Sequence, residues 1–140
     1  MRVMDIVAEL KEWAQIFLKS RDAIQKSITG IENLNGDFIV HKVSGDVLFL
    51  VRPELADVDE VVQKAAGNAG LIVLNTKKNV DAVIANWDKL SKLNGLCIYF
   101  VNPAANEKWL IYPFTHNQIT EKPALRRGLE SLFSMVPPYQ

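Results

Sequence analysis

Three stretches of the chain are apolar or aromatic at every position: Val47-Leu48-Phe49-Leu50-Val51, Leu71-Ile72-Val73-Leu74 and Leu96-Cys97-Ile98-Tyr99-Phe100-Val101. A strand with one wet face alternates apolar and polar residues. Short runs without alternation fit strands covered on both faces, which is the pattern of a parallel sheet. Between the runs lie two segments with helical spacing. Asp57 followed by Glu60 resembles a capping box, and Val58, Val61, Val62, Ala65, Ala66 and Ala69 then mark one buried side. Asn79 is the expected cap of the second segment, whose inward face carries Val80, Val83, Ile84, Trp87 and Leu90, with Gly95 as its stop. Strand, helix, strand, helix, strand within one sheet is a pair of right-handed crossovers in nearly every case, so the three runs are expected side by side and parallel.

The flanks extend this core. Val3, Val7, Leu10, Ala14, Phe17, Ile24 and Ile28 fall at helical steps, widened by Ile6, Trp13 and Leu18, and predict a long N-terminal helix ending at Gly30. Ile16 and Leu18 lie beside the main stripe, which predicts a second contact surface on this helix and self-association as a homodimer. Residues 38–43 and 47–51 flank Ser44-Gly45-Asp46 and predict a hairpin; the first run is mixed in polarity and reads as an edge strand. After Asn102-Pro103, the run Trp109-Leu110-Ile111-Tyr112 is close enough to return antiparallel, with Pro113 ending it. Pro123 suits the first turn of a last helix, with Leu125, Leu129, Leu132, Phe133 and Val136 inward and Pro137-Pro138 closing it. The expectation is one α/β domain over residues 1–140 with helices packed on a mixed sheet of about five strands, the central ones parallel and the flanking ones antiparallel.

Charge and cysteine usage remove several function classes. Sixteen basic residues balance sixteen acidic ones, so net charge does not support nucleic acid as a partner. Cys97 is the sole cysteine, which excludes an intramolecular disulfide and a thiolate-rich zinc site and favours a reducing, cytoplasmic location. Asp5, Glu9, Lys11 and Glu12 interrupt the N-terminal apolar residues, so neither a signal peptide nor a membrane span is expected there.

Ligands of open parallel sheets sit outside the carboxyl ends of the strands, where helix N-termini also point. That places interest on Arg52-Pro53-Glu54, on residues 75–79 and on Asn102. Arg52, Lys77, Lys78 and Asn102 form the candidate ligand-binding set, suited to a small anion or nucleotide. No glycine-rich cradle accompanies them, which favours reading them as solvated loop charges with Asn79 as an ordinary cap. No metal set is expected. His41 and His116 are far apart and neither has a His-x-x-x-His spacing. Cys97 opens an apolar strand, where a thiol behaves as a small hydrophobe. No serine lies in a Gly-x-Ser-x-Gly elbow, and Gly67-Asn68-Ala69-Gly70 precedes a strand instead of following one, so no cofactor is implied. Asp57, Asp59 and Glu60 are accounted for by a helix macrodipole. Trp109, Tyr112, Phe114 and His116 alternate, which predicts either core packing or an aromatic face on the last strand.

The order helix, hairpin, strand, helix, strand, followed by the strand beginning with Trp109, resembles the restriction-endonuclease-like fold, as in archaeal Holliday-junction resolvases, over roughly residues 1–114. That family carries an acid on its second core strand and Glu-x-Lys on the third, where the carboxylates bind a divalent metal and the lysine helps orient the attacking water. On this resemblance Asp46 takes the place of the first acid, Asn75 stands where the glutamate is missing and Lys77 matches the lysine; the helix between the second and third strands departs from the family's usual short connection. Loss of the second acid implies a catalytically degenerate domain. The expected function is therefore a non-catalytic binding or assembly module, acting on a protein partner or on a second copy of itself. The alternatives are a metal-dependent nuclease and a small-anion or nucleotide binder.

Overall fold

Residues 5–140 are described by a computed structural model. Asp5 caps the first helix, α1 (Ile6–Arg21), its carboxylate accepting from the backbone N–H of Val7 at 3.1 Å. Val3, which the periodicity assigned to this helix, lies outside the described residues. The helix ends earlier than the spacing predicts. Asp22 turns the chain, its carboxylate accepting from the backbone N–H groups of Ser27 and Ile28 and from the Ser27 hydroxyl, while Lys26 takes a left-handed φ of 52°. Ile24 is 93% exposed and so falls outside the stripe, and Ile28 opens a strand.

That strand, β1 (Ile28–Asn33), contains Gly30, which is therefore no helix cap; the pairing register shifts between Ile28 and Gly30. It runs antiparallel to β2 (Asp37–Lys42), which runs antiparallel to β3 (Gly45–Val51). β2 is thus interior and not the edge its mixed polarity implied, because β1 covers its free side. The β2–β3 turn is tight, pairing Lys42 with Gly45, whose φ of 132° suits glycine. Helix α2 (Val58–Lys64) follows, with the Asp57 carboxylate accepting from the Glu60 N–H at 3.2 Å.

β4 (Ala69–Leu74) is parallel to β3 and buried at every position. Thr76, not Asn79, caps α3 (Lys77–Ala85), its side chain accepting from Asn79 N–H. The helical segment expected to run on to Leu90 breaks at Asn86, whose amide donates back to the Ala82 carbonyl, and resumes as α4 (Trp87–Leu90). β5 (Leu96–Asn102) is parallel to β4 and fully buried, and β6 (Glu107–Ile111) returns antiparallel beside it. Pro113 ends that strand by starting a helix, α5 (Pro113–Ile119), so Phe114 and His116 stand on a helix and do not extend an aromatic strand face. Pro123 occupies the first turn of α6 (Lys122–Ser134).

Among the described residues the strands form one six-stranded sheet in chain order, with β3, β4 and β5 parallel at its centre. One face carries Leu50, Leu71, Val73, Ile98 and Phe100 against the helices that follow β3, with the Trp109 ring stacked on Phe100 at 4.0 Å. The other face carries Phe38, Val40, Phe49, Ile72, Tyr99 and Val101 against α1. Each fully buried leucine, isoleucine or phenylalanine contributes roughly 2 kcal/mol. Leu18 belongs to this second core, which leaves Ile16, 61% exposed, as the one large apolar side chain on the outer side of α1. No helix among the described residues is long and apolar enough to cross a membrane.

Candidate functional site

The parallel strands end together, so Arg52, Asn75 and Asn102 emerge at one rim of the sheet, with Lys77 and Lys78 opening α3 beside them. This is the crevice where the topology places ligands. The chain's own C-terminal segment lies across it. Asn75 is wholly buried; its amide donates to the carbonyls of Val136 and Pro137 at 3.2 and 3.3 Å, and its side-chain oxygen accepts from the Trp109 indole at 2.8 Å. Asn102 donates to the carbonyls of Pro137 and Pro138 at 3.0 and 3.4 Å. The Tyr139 N–H donates to the Asn75 carbonyl at 2.9 Å.

The chemistry of the tail explains the arrangement. Proline has no N–H, so Pro137-Pro138 brings carbonyls without donors, and two asparagine amides at adjacent strand ends supply the donors. Val136 fills the α6 side of the sheet and Tyr139 packs into the core on the α1 side, so the segment straps over the rim from one face to the other. Asn79 is buried nearby as a brace: its oxygen accepts from Leu55 N–H and its amide donates to the carbonyls of Pro53 and Leu74.

The cations at this rim are already neutralised. Arg52 donates to Asp37 at 2.6 Å and, through Nε, to Glu60 at 2.9 Å, with a further bond to its neighbour Val51's carbonyl. Asp37 is itself buried and accepts from Val51 N–H. The Arg52 and Lys64 side chains hold the Glu60 carboxyl down at about 2. Lys77 bridges Asp81 at 3.3 Å and Glu130 at 3.0 Å, and Lys78 pairs with Glu54 at 3.2 Å. Asp37 had no place among the sequence candidates, and Glu60 was read only as a first-turn acid of α2; an acid directly preceding the apolar run Phe38-Ile39-Val40 was the available signal.

Asp46, Asn75 and Lys77 are not brought together. Leu48 pairs with Ala69, so Asp46 lies two residues before the paired level and Asn75 six residues after it. At about 3.3 Å per residue this separates them by roughly 26 Å. Asp46 engages His41 instead: the ring's Nδ1 lies 2.8 Å from Asp46 and its Nε2 3.2 Å from Glu32, a cross-strand trio that raises the histidine's pKa above 6.5. Each carboxylate takes a different ring nitrogen, so the three do not converge on a common point. Among the described residues no group of three or more His, Cys, Asp or Glu side chains could hold a metal ion.

The remaining candidates are structural. His116 sits edge-on to the Trp87 ring at 5.7 Å, and burial lowers its pKa. Cys97 is buried, and that burial pushes its thiol up to about 11, far from a nucleophile's range. A scan against family models, a search of curated proteins and a search of solved structures each found no match.

Proposed function

We propose that the chain is a non-catalytic binding module, a degenerate relative of the restriction-endonuclease-like architecture. The observation that carries this reading is the C-terminal strap. Asn75 and Asn102, the polar side chains best placed to meet a ligand at the strand ends, spend their donors on Val136, Pro137 and Pro138.

A second observation supports the degenerate relationship. The order α1, β2–β3 hairpin, β4, α3 and α4, β5, β6 is the element order of the resemblance, with α2 as the departure from it and β1 as a strand it does not include. On that order the first acid is Asp46, in β3, and the end of β4 leads into Asn75-Thr76-Lys77 with no carboxylate. The Arg52 guanidinium lies against Asp37 and Glu60, so the cation at the end of β3 is held by the chain's own carboxylates. A cytoplasmic location fits the single buried thiol.

The test is incubation of the full chain with supercoiled plasmid and with branched DNA in magnesium and in manganese. Intact DNA is expected. Cleavage that disappears in Asp46→Ala overturns the reading.

A further inference from the structure

β1 is an edge of the sheet, and its outer side is open. Reciprocal backbone bonds between Leu34 and Asp37 fix its phase. Hydrogen-bonded pairs alternate along an antiparallel ladder, so Glu32 with Ile39 and Gly30 with His41 face each other through their backbone groups. Ile31 and Asn33 therefore turn their N–H and C=O groups away from β2, and no described residue pairs with them there. Edges are commonly blunted by proline, lysine or a bulge. β1 contains neither residue, and its one irregularity lies between Ile28 and Gly30, before the open stretch.

Helix α1 forms a wall along this edge, and a groove of about 620 Å³ lies between them. Gln15 donates to the Asn33 side chain at 2.7 Å, and the Asp22 carboxylate accepts from the Ile28 N–H at 2.8 Å. Lys19, one turn from each, thus stands above the middle of the strand. Ile31 packs in the core on the α1 side, so Ile31 and Asn33, two apart, both point toward that helix. Lys19 and Lys26 line the groove and are exposed, and neither meets a carboxylate or an aromatic ring among the described residues. Lys11, further along α1, is occupied by the Leu34 carbonyl at 2.7 Å. The carboxylate in the lining, Asp22, has its oxygens committed to Ser27 and Ile28, and Lys42 is the cation that acts on it.

We propose that the β1 edge binds an extended acidic peptide segment of a partner protein as a further antiparallel strand, its main chain paired with Ile31 and Asn33 and its carboxylates at Lys19 and Lys26. Open main-chain groups in one line match another main chain, and the two cations match acidic side chains. A second copy of this chain is a poorer occupant, because two-fold pairing about Ile31 would set Lys19 against its counterpart. Residues directly opposite in an antiparallel pair share a face, so the segment's carboxylates and its edge-facing amides belong to the same alternate residues. The surface lies on a different edge from the strapped rim, and the inference goes beyond the binding-module reading. Cleavage of DNA would sink that reading while leaving the measurement below unaffected.

The experiment is a heteronuclear NMR titration of the full chain with an end-blocked peptide of alternating glutamate and threonine. Its controls carry glutamine for glutamate, N-methyl groups on the glutamates, or N-methyl groups on the threonines. Saturable shifts are expected at the amides of Ile31 and Asn33. The affinity should fall about fivefold for the glutamine peptide and for the Lys19→Gln/Lys26→Asn variant, both of which lose the charged contacts. Both lysines are exposed and asparagine accepts the left-handed φ of Lys26, so the fold should persist and the spectrum itself reports it. Methylated glutamate nitrogens face β1 and should abolish binding, whereas methylated threonine nitrogens face solvent and should leave it largely intact. No saturable shift at millimolar peptide overturns the proposal. So do shifts that map to β6, equal affinity for the glutamine peptide or the variant, and equal loss from the two methylation patterns. Shifts at Ile31 that grow with protein concentration alone would give the edge to a second copy and overturn it too.

Discussion

The Trp109 indole donates to the Asn75 side-chain oxygen at 2.8 Å, joining the last strand to the end of β4 across β5. With its oxygen fixed, the amide must turn its N–H groups toward Val136 and Pro137. One buried side chain thus couples the sheet edge to the tail.

Asn75→Ala should destabilise the protein by about 3 kcal/mol, since it leaves the buried indole N–H and two tail carbonyls without their partner. Asn75→Asp should be nearly as damaging, because a carboxylate accepts from Trp109 but cannot donate to the tail. Urea denaturation of both variants measures this, and a loss under about 1 kcal/mol for either contradicts it.

The packing of Gly70 against Phe49 makes a second test. Gly70→Ala forces its methyl group into the Phe49 ring and should cost about 2 kcal/mol. Gly128→Ala meets open space within α6 and should stabilise by about 0.5–1 kcal/mol. Thermal unfolding of the two variants should therefore move in opposite directions.

Charge at the strand ends sets an acid dependence. Glu60 is held at about 2 by Arg52 and Lys64, against 4.5 for the free group, so its contribution is complete above 4.5 and is lost as pH falls toward 2. Glu60→Gln should flatten the fall in stability across that window. Arg52→Ala should cost about 3 kcal/mol at neutral pH, because it leaves Asp37 buried without its cation. Denaturation curves between pH 2 and 7 measure both effects.

His41 has the opposite sign. Asp46 and then Glu32 raise its pKa above 6.5, so the stabilising ion pairs are present below that value and are lost as pH rises through the raised one. Its NMR titration midpoint should lie above 6.5 and drop toward it in Asp46→Asn. An unchanged midpoint in the variant contradicts the cross-strand contact.

The parallel core was legible because Leu71–Leu74 and Leu96–Val101 are apolar or aromatic at every position, without a charged residue, and only a strand covered on both faces tolerates that. β1 was not, because Ile24 and Ile28 continue the helical spacing of α1 by coincidence. Only the three backbone and hydroxyl bonds to Asp22 reveal that the chain has turned. α5 was hidden in the same way: Phe114 and His116 alternate with Tyr112, and Pro113 reads as a stop when it is also a helix start. Arg52, Asn75 and Asn102 were rightly placed at one rim, yet their partners come from Asp37, Glu60 and residues 136–138, distant in sequence and invisible to spacing. The close contact of Gly70 with Phe49 was missed because Gly67-Asn68-Ala69-Gly70 reads as a helix ending, whereas Gly70 stands in β4 and its lack of a side chain makes room for the Phe49 ring.

The strap is tested most directly by amide hydrogen exchange at Tyr139, whose N–H donates to the Asn75 carbonyl at 2.9 Å. In an irregular segment outside helix and sheet, an untethered amide exchanges at the rate of a free peptide. The structure requires protection approaching that of the β4 amides, and its loss in Asn75→Ala. Free-peptide exchange at Tyr139 in the unaltered protein would show an open crevice and contradict the account.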